Sequence, residues 1–371
     1  MRLHHLLDPL FDLARAFRRR GGEARDVLLI SAGGLGDAVL LAVVLPRFLP
    51  LLQPGETLNV LLRHDAARMA FLFPPQVRVI PVDFRRLRDH HYRRRTFERL
   101  YQAHYRLLVH ADYLRHPDHD EALVGAARAG EALAMEPRPS EKFAARLAAN
   151  RRLYARLFAS GPPHTDKVLR WAAFARFLTG EDLPPPLVGL SAERLPPPAD
   201  LPRPTAVLQP FSAVTLKQSP PELWELIIGA LPGGWDIRLA GHPDDIKRHP
   251  QFHRLLDLPG VAFEDAPFVQ LAGILRAARL VVSVDTACMH LAAVMGAPTL
   301  CLASAAYVGE IVPYAAEITP PNLHVLYTPM ECQGCLGACR LPPEDGMYPC
   351  VAALDPDLVL GSVRDMVARG I

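Results

Sequence analysis

The sequence predicts an α/β protein made of two doubly wound domains, each a parallel sheet with helices on both faces. Three observations predict this class. Short apolar runs alternate with segments of helical period in both halves of the 371-residue chain. A glycine-rich or polar turn follows a buried strand in each half. A proline-rich stretch, residues 183–204, separates the halves and has the composition of a semi-rigid linker.

Composition places the chain among globular proteins, with 50% hydrophobic and 22% charged residues. The 41 basic and 39 acidic residues nearly cancel, and we expect no nucleic-acid partner. No apolar run approaches the roughly 18 residues of a transmembrane helix, and no signal peptide is recognisable. We therefore expect a cytoplasmic protein, in which the six cysteines serve as thiols or metal ligands rather than as disulfides.

The first 20 residues, MRLHHLLDPLFDLARAFRRR, have apolar positions at helical spacing and end in three arginines. Two interpretations stay open for this segment. It forms an amphipathic helix in peripheral contact with an anionic inner-membrane surface, or it packs on its own domain with a solvated arginine end.

The first domain begins with a buried strand at Asp26–Ile30, followed by the turn SAGGLGD and an apolar helix. Its glycines permit positive φ and a close approach of a ligand to the backbone. The turn is not G-x-G-x-x-G and lacks the lysine of a P-loop, so it is a weak nucleotide signal. Asp37 stands at the helix start, where it either caps the helix or acts on a molecule above the sheet.

Three further strands follow in the first domain, at residues 58–63, 77–82 and 105–111. Between the last two lies an arginine-rich segment, residues 83–101. It is either a solvated helix face or a cluster that recognises an acceptor carrying phosphates or carboxylates. Residues 120–180 are rich in alanine and arginine, and their period predicts helix.

The second domain repeats the order of strand, polar loop and helix in TAVLQPFSAVTLKQSPPELWELIIGAL, with Pro-Pro at the helix start. Strands at 235–241 and 261–265 and a helix at 268–278 lead to LVVSVDTACMHLAAVMGAPTLCL, residues 280–302. Here a buried strand ends in Asp-Thr and a helix follows to Val294. Gly296 suits the left-handed end of that helix. Polar groups and a helix N-terminus at the carboxyl end of a strand predict a phosphate-bearing ligand.

Four cysteines near the C-terminus have the spacing C-x₂-C-x₃-C-x₁₀-C, at Cys332, Cys335, Cys339 and Cys350. Four thiolates in a loop suit zinc or iron. Reduced thiols packed in a loop are the other interpretation. We expect any metal here to be structural.

The three motifs SAGGLGD, QPFSAVTLKQSP and VVSVDTACMHLAAVMGAPTL occur in this order and together resemble the ADP-heptose heptosyltransferases, glycosyltransferase family 9. The resemblance covers roughly residues 26–365. It implies the GT-B fold, two Rossmann-like domains facing across a cleft. These would be an N-terminal acceptor-side domain at 1–182, the linker at 183–204, and a nucleotide-sugar-binding domain at 205–371.

The resemblance also implies roles for residues of the first two motifs. Gly36 and Asp37 match the family's Gly-Asp pair, whose aspartate is the proposed general base. Lys217 falls where the family has a lysine on the donor phosphates, and Ser212 matches a hydroxyl position of the same loop.

The third motif implies the rest of the donor site. Asp285, Thr286 and His290 match the donor-binding sequence V-D-T-G-x-x-H-L-A. Ala287 stands where glycine is usual, and we expect it to narrow the backbone freedom of that turn. The amides after Asp285 would hold the pyrophosphate, so no catalytic divalent metal is implied. A subgroup, the bacterial autotransporter heptosyltransferases, is noted for a four-cysteine iron site in this region.

The resulting prediction is an inverting transferase that moves a heptose from ADP-heptose, or another nucleotide sugar, to an acceptor hydroxyl. The acceptor is a lipopolysaccharide inner core or a serine of a protein. Two alternatives remain, a sugar-nucleotide 2-epimerase of similar fold and a catalytically silent GT-B binding or assembly module. A dehydrogenase is disfavoured because neither first strand is followed by G-x-G-x-x-G.

Overall fold

The computed structural model of the protein describes Asp8 and residues 20–369. The predicted N-terminal helix lies outside the described residues, except for Asp8 and Arg20. Within the described part of the chain, no helix combines the length and apolarity needed to cross a bilayer.

The described chain divides into two compact units. The first comprises the residues up to Pro163 together with Arg170–Pro184, and the second comprises His164–Leu169 together with the residues from Pro185 onward. The division after Pro184 falls inside the predicted proline-rich linker. The short segment His164–Leu169, placed in the first domain by the sequence analysis, groups with the second unit.

The first unit contains a six-stranded parallel sheet of order β3-β2-β1-β4-β5-β6. Its strands are β1 Val27–Ser31, β2 Leu58–Arg63, β3 Val77–Val82, β4 Leu107–His110, β5 Glu131–Met135 and β6 Arg156–Phe158. The α-helices that begin between these strands are α1 Leu35–Val44, α2 His90–Gln102, α3 Asp120–Ala127 and α4 Ala144–Asn150. The helix α5 Lys167–Thr179 follows β6.

The second unit contains another six-stranded parallel sheet, of order β12-β11-β10-β7-β8-β9. Its strands are β7 Thr205–Gln209, β8 Asp236–Ala240, β9 Val261–Glu264, β10 Leu280–Val284, β11 Thr299–Leu302 and β12 Leu323–Leu326. Its helices are α6 Pro221–Ala230, α7 Pro243–Arg248, α8 His253–Leu256, α9 Phe268–Ala277, α10 Ala287–Val294, α11 Pro349–Ala352 and α12 Pro356–Arg369.

Burial explains why the central strands could be predicted from the sequence. Every residue of β1, β7 and β10 is buried, as expected for strands covered by helices on both faces. Such strands read as short uninterrupted apolar runs. The predicted Gly296 end of α10 is also confirmed, with φ +76 at that glycine.

The prediction that residues 120–180 are helical was wrong at two places, β5 and β6. The sequence of β5, EALAM, consists of good helix formers. It is nevertheless extended because it pairs with β4 on one side and β6 on the other. The second missed strand has only three residues, too few to show an alternating pattern. Pairing with neighbouring strands overrides local propensity here.

Candidate functional site

Both sheets have a topological switch point, where the order of the strands reverses direction. In the first unit it lies between β1 and β4, and in the second between β7 and β10. Ligands of open α/β sheets bind beyond the carboxyl ends of the strands at such points. The predicted residue Asp37 follows β1, and the predicted residues Asp285 and Thr286 follow β10. The predicted motifs therefore lie at the two switch points.

The glycine-rich turn of the first unit is closed by Asp37. The carboxylate Oδ2 of Asp37 accepts a hydrogen bond from the backbone N–H of Gly34 at 2.6 Å and so caps α1 from its third residue. Gly36 lies in the first turn of this helix. A Cβ added to Gly33 would stand 2.4 Å from the Cβ of Asp37. Gly33 is therefore required by the close approach of Asp37. None of the three glycines of the motif, Gly33, Gly34 and Gly36, adopts the positive φ that glycine permits.

A second carboxylate, which the sequence analysis missed, fixes the same turn. Asp112 follows β4 and is buried. Its Oδ2 accepts a short hydrogen bond from the N–H of Ala32, and its Oδ1 accepts one from the Ser31 hydroxyl at 3.2 Å. An aspartate directly after a buried strand, in LLVHAD, is the signal that could have found it. Asp112 thus ties the end of β4 to the turn that carries Asp37.

Beside Asp112 the first unit buries a pair of titratable groups. His110 Nε2 lies 3.2 Å from Oδ2 of Asp120, and His110 Nδ1 accepts from the N–H of Asp112 at 3.3 Å. Burial lowers the pKa of His110 to about 4. Burial also raises the pKa of Asp120 to about 7, against the hydrogen bonds that its carboxylate accepts. At neutral pH His110 is therefore neutral and donates to Asp120 from Nε2.

A cavity of about 690 Å³ opens at the carboxyl ends of the strands in the first unit. Its lining is rich in cationic groups from the ends of β2, β3, β4 and β5. The lining arginines and histidines are Arg63, Arg85, Arg88, Arg115, Arg138, His64, His116 and His119.

Two of the lining arginines are already paired. Arg63 binds Asp65 at 2.7 Å, and Arg115 lies 3.0 Å from the buried Glu121. The guanidinium groups of the other three, Arg85, Arg88 and Arg138, make no hydrogen bond or ion pair with any residue among 20–369. The cavity can therefore offer unpaired positive charge to an anionic ligand.

The donor-side residues of the second unit meet beyond β10. Lys217 ends a 3₁₀ turn, Thr215–Lys217, and its Nζ lies 2.8 Å from Oδ1 of Asp285 and 3.3 Å from the carbonyl oxygen of Asp285. The Ser304 hydroxyl donates to the other carboxylate oxygen, Oδ2, at 3.1 Å. Burial raises the pKa of Asp285, and the nearby ammonium of Lys217 opposes that rise. The two predicted residues, 68 positions apart, thus form one buried pair.

An aromatic residue that the sequence analysis did not single out completes the surroundings of Lys217. The Nζ of Lys217 lies 4.1 Å from the centroid of the Tyr307 ring. This distance is within the range of a cation–π contact.

No side chain in the described part of the chain caps the N-terminus of α10. Thr286 is its N-cap residue, but the Thr286 hydroxyl donates instead to Oε1 of Gln209 at 2.9 Å. Within residues 20–369, the first N–H groups of α10 therefore have no side-chain acceptor. Ala287 is the first residue of this helix and does not have a positive φ. Ala287 therefore adopts its backbone conformation without the strain that a positive φ would impose on an alanine.

Ser212 and His290 are held by local contacts. The Ser212 hydroxyl accepts from the N–H of Val214 at 3.2 Å. The imidazole of His290 is buried, with Nδ1 2.5 Å from the Tyr314 hydroxyl. This arrangement satisfies His290 within the protein, so its contact with a donor stays a prediction.

The cysteine loop, residues 330–350, packs beside this site. Its Cys350 is buried, and the Cys350 sulfur accepts from the N–H of Ala305 at 3.3 Å. Burial raises the pKa of Cys332, and contact with Cys339 and the nearby Cys335 raises it further. Over Asp8 and residues 20–369, however, no three side chains of His, Cys, Asp or Glu are grouped to hold a metal ion.

Proteins of this fold have many functions, and comparison with known proteins narrows the choice among them. Residues 162–335 match the family model described as glycosyltransferase family 9 (heptosyltransferase). Residues 162–335 are therefore similar to the domain of glycosyltransferase family 9. The matched range includes Lys217 and the motif from Asp285 to His290, whereas Asp37 lies outside it. The resemblance to family 9 is therefore confirmed over the range that contains the second and third motifs. This match indicates a glycosyltransferase.

Solved heptosyltransferases share the fold of this protein. The E. coli ADP-heptose LPS heptosyltransferase II has a TM-score of 0.65 at 15% identity, covering 93% of this chain and 99% of that chain. The E. coli heptosyltransferase WaaC with ADP has a TM-score of 0.64 at 21% identity, with the same 93% and 99% coverage.

A third structure is the iron-containing dodecameric heptosyltransferase TibC from E. coli, in complex with ADP-D-beta-D-heptose. It has a TM-score of 0.54 at 14% identity, covering 94% of this chain and 78% of that chain. No curated protein sequence matches the chain. At these identities the similarity establishes the fold, and the predicted GT-B class is confirmed.

Proposed function

We propose that this family 9 protein is an inverting transferase that moves a heptose from ADP-heptose to an acceptor hydroxyl. One observation carries the proposal most directly. At the β7–β10 switch point, the ammonium of Lys217 contacts Asp285, and α10 begins two residues after Asp285 with an N-terminus that no side chain among residues 20–369 caps. A lysine and a helix N-terminus together suit a pyrophosphate, the group that leaves when a nucleotide sugar reacts.

The donor-side residues would stabilise the leaving group. In the transfer, a bond forms between the acceptor oxygen and the anomeric carbon while the bond from that carbon to the pyrophosphate oxygen breaks. The bonding electron pair departs with ADP, so negative charge grows on the terminal phosphate. Lys217 and the first N–H groups of α10 are the donors placed to receive that charge.

Asp37 would act as the general base. It takes the proton of the acceptor hydroxyl as that oxygen attacks, and an inverting displacement needs only this one carboxylate. In the structure, Oδ2 of Asp37 holds the N–H of Gly34. A carboxylate has about four lone-pair sites on its two oxygens, so it can keep this cap and still accept a proton.

The cavity of the first unit supports an anionic glycolipid acceptor, such as a lipopolysaccharide inner core, over an unmodified protein serine. Arg85, Arg88 and Arg138 line it without partners of their own among residues 20–369. Arg85 and Arg88 are exposed and Arg138 is half-buried, so a ligand that carries phosphates or carboxylates can pair with their charge. A serine side chain offers neither.

An assay of the purified protein with ADP-heptose tests this proposal. Two acceptors are compared, an inner-core fragment carrying its phosphates and carboxylates and a serine-rich autotransporter polypeptide. We expect ADP release and a heptose added to the inner-core fragment, with inverted anomeric configuration by NMR. Transfer to the polypeptide alone would contradict the acceptor assignment. An isomerised nucleotide sugar without glycoside would indicate the 2-epimerase, and no product from either acceptor would indicate the silent module.

The arginines provide a second arm of the same assay. The double variant Arg85→Gln/Arg88→Gln should raise KM for the anionic acceptor about 10-fold or more, since each lost contact to a charged group costs roughly 1 kcal/mol or more. Its affinity for ADP should not change. Arg364→Gln removes an exposed arginine of α12 and serves as the matched control.

We also propose that the four cysteines bind a structural iron or zinc ion. The donor set, four thiols of which Cys332 and Cys339 are in contact, has the chemistry of a tetrathiolate site. Such an ion would order the cysteine loop and has no step in the transfer. Metal analysis of the purified protein tests this, and Cys335→Ser should lower both metal content and thermal stability. Full metal loading of that variant would contradict the proposal.

A further inference from the structure

The structure points to a positioning role for Tyr307. We propose that the Tyr307 ring holds the ammonium of Lys217 in the orientation that binds the donor phosphates, and that the cysteine loop holds the ring in place. This inference rests on the proposed phosphate contact of Lys217, and its test below separates the two.

The contacts around Lys217 restrict the directions in which its ammonium can donate hydrogen bonds. An ammonium has three N–H donors. Asp285 is within 2.8 Å through its carboxylate and 3.3 Å through its carbonyl oxygen, and the Tyr307 ring lies against Nζ at 4.1 Å from the ring centroid. The ring therefore covers a side of the ammonium that no carboxylate covers, and it limits where the remaining donor can point.

The exclusion of water strengthens the contact between the Lys217 ammonium and the Tyr307 ring. The side chain of Lys217 is only 12% exposed and that of Asp285 only 2%. A cation over an aromatic face is worth most when water is excluded. A lysine also has long, flexible rotamers, and fixing them in advance removes part of the entropic cost of binding a ligand.

The Tyr307 ring is held in turn by the cysteine loop. Tyr307 ends a short 3₁₀ turn, Ala305–Tyr307. The carbonyl oxygens of Ala305 and Ala306 accept from the N–H groups of Gly334 and Leu336 at 2.8 Å and 2.7 Å. This turn is therefore pinned by two backbone hydrogen bonds from the loop, in addition to the bond from its Ala305 N–H to the Cys350 sulfur.

The same loop also holds the backbone next to Lys217. The N–H of Tyr348 donates to the carbonyl oxygen of Leu216 at 2.8 Å. Between the two tyrosines lies Gly337, where an added Cβ would meet the hydroxyl oxygens of Tyr307 at 3.2 Å and Tyr348 at 3.3 Å. One loop thus fixes both the backbone that carries the lysine and the ring that covers it.

Two substitutions at Tyr307 separate an aromatic role from simple packing. Tyr307→Phe keeps the ring face and removes only the hydroxyl, whereas Tyr307→Leu fills space without a π face. We expect the phenylalanine variant to bind ADP within about 2-fold of the original protein. The leucine variant should bind ADP roughly 2- to 30-fold more weakly, the range that a desolvated cation–π contact spans. Equal affinity of the leucine and phenylalanine variants would overturn the proposal.

A double-mutant cycle shows whether Tyr307 acts through Lys217. The cycle uses Lys217→Met together with Asp285→Asn, so that no buried carboxylate is left without its cation. In this background Tyr307→Leu should not weaken ADP binding further, as measured by calorimetry with ADP. An undiminished effect of Tyr307→Leu there would overturn the positioning role while leaving the phosphate contact intact. If Lys217→Met/Asp285→Asn itself binds ADP normally, the phosphate contact fails and the positioning role fails with it.

Discussion

The ammonium of Lys217 and the carboxylate of Asp285 form an ion pair at 2.8 Å, with side-chain exposures of 12% and 2%. The sequence predicts a separate donor contact for each of these two residues. The structure shows that they are one unit, because a carboxylate this deeply buried needs a compensating charge. The lysine of the donor site therefore has a folding role as well as its proposed binding role.

This pairing predicts an asymmetric effect of substitution on stability. Lys217→Met leaves Asp285 buried without its cation and should lower the free energy of unfolding by about 3–5 kcal/mol. Adding Asp285→Asn removes the uncompensated charge, so the double variant should recover part of that loss. Urea unfolding measures both. A double variant less stable than Lys217→Met alone would contradict the pair's role.

Asp37→Asn separates the two roles of Asp37. The asparagine carbonyl can still accept the hydrogen bond from Gly34 and cap α1, but it cannot take a proton. We expect kcat to fall by roughly 10²- to 10⁴-fold, the usual share of a general base, with the melting temperature and the affinity for ADP nearly unchanged. Asp37→Ala should lose in addition about 1 kcal/mol of stability with the cap. Near-normal turnover by Asp37→Asn would remove the base assignment.

Gly33→Ala tests whether the position of Asp37 matters. The new methyl group would stand 2.4 Å from the Cβ of Asp37, so the carboxylate must move. We expect kcat to fall by at least about 10-fold, since small misplacements of a reacting group are costly, while ADP affinity stays within about 2-fold. The matched control is Gly34→Ala, whose methyl group would approach Asp37 Oδ2 no closer than 3.8 Å. Equal activities of the two variants would contradict the claim that Gly33 is required for the position of Asp37.

The pair of His110 and Asp120 predicts opposite pH dependences for two variants. The folded-state pKa of Asp120 is raised to about 7, so its contribution to stability is full below its unfolded pKa and is lost as pH rises through about 7. The folded-state pKa of His110 is lowered to about 4, so its contribution is full above its unfolded pKa and is lost as pH falls through about 4. Between these limits the two slopes oppose each other.

Removing either partner should therefore expose the slope of the other. In His110→Gln, stability should fall with rising pH between about pH 4 and pH 7, by on the order of 1 kcal/mol per pH unit. In Asp120→Asn, stability should rise with pH between about pH 4 and pH 6.5, by a similar amount. Urea unfolding across this range measures both. Slopes of the same sign in the two variants would show that the pair does not titrate in this way.

The sequence predicted the central strands and the location of the site because both leave local signals. Strands buried on both faces read as apolar runs, and the polar turns after β1 and β10 stand out directly behind them. By contrast, β5 was missed because EALAM favours helix locally. Its strand pairing with β4 is set by contacts distant in sequence.

The contacts that organise the site could not be predicted from the sequence either, because they join residues that are distant in the chain. Asp112 acts on Ala32 from 80 positions away, and Tyr307 covers a lysine from a turn that carries no recognisable motif. Conversely, the four cysteines have a clear spacing, but within Asp8 and residues 20–369 no three side chains of His, Cys, Asp or Glu are grouped to hold a metal ion, so their metal ion stays a proposal. Spacing indicates which residues can meet, whereas packing decides which do.

The most direct test of the account is calorimetric titration of the protein with ADP, UDP and GDP, followed by the same titration of Lys217→Met/Asp285→Asn. We expect ADP to bind most tightly and the double variant to lose at least about 10-fold in ADP affinity, because it lacks a contact between a charged donor and a phosphate. Tighter binding of UDP or GDP would replace the donor. Unchanged ADP binding by the double variant would contradict the placement of the donor phosphates at the β7–β10 switch point.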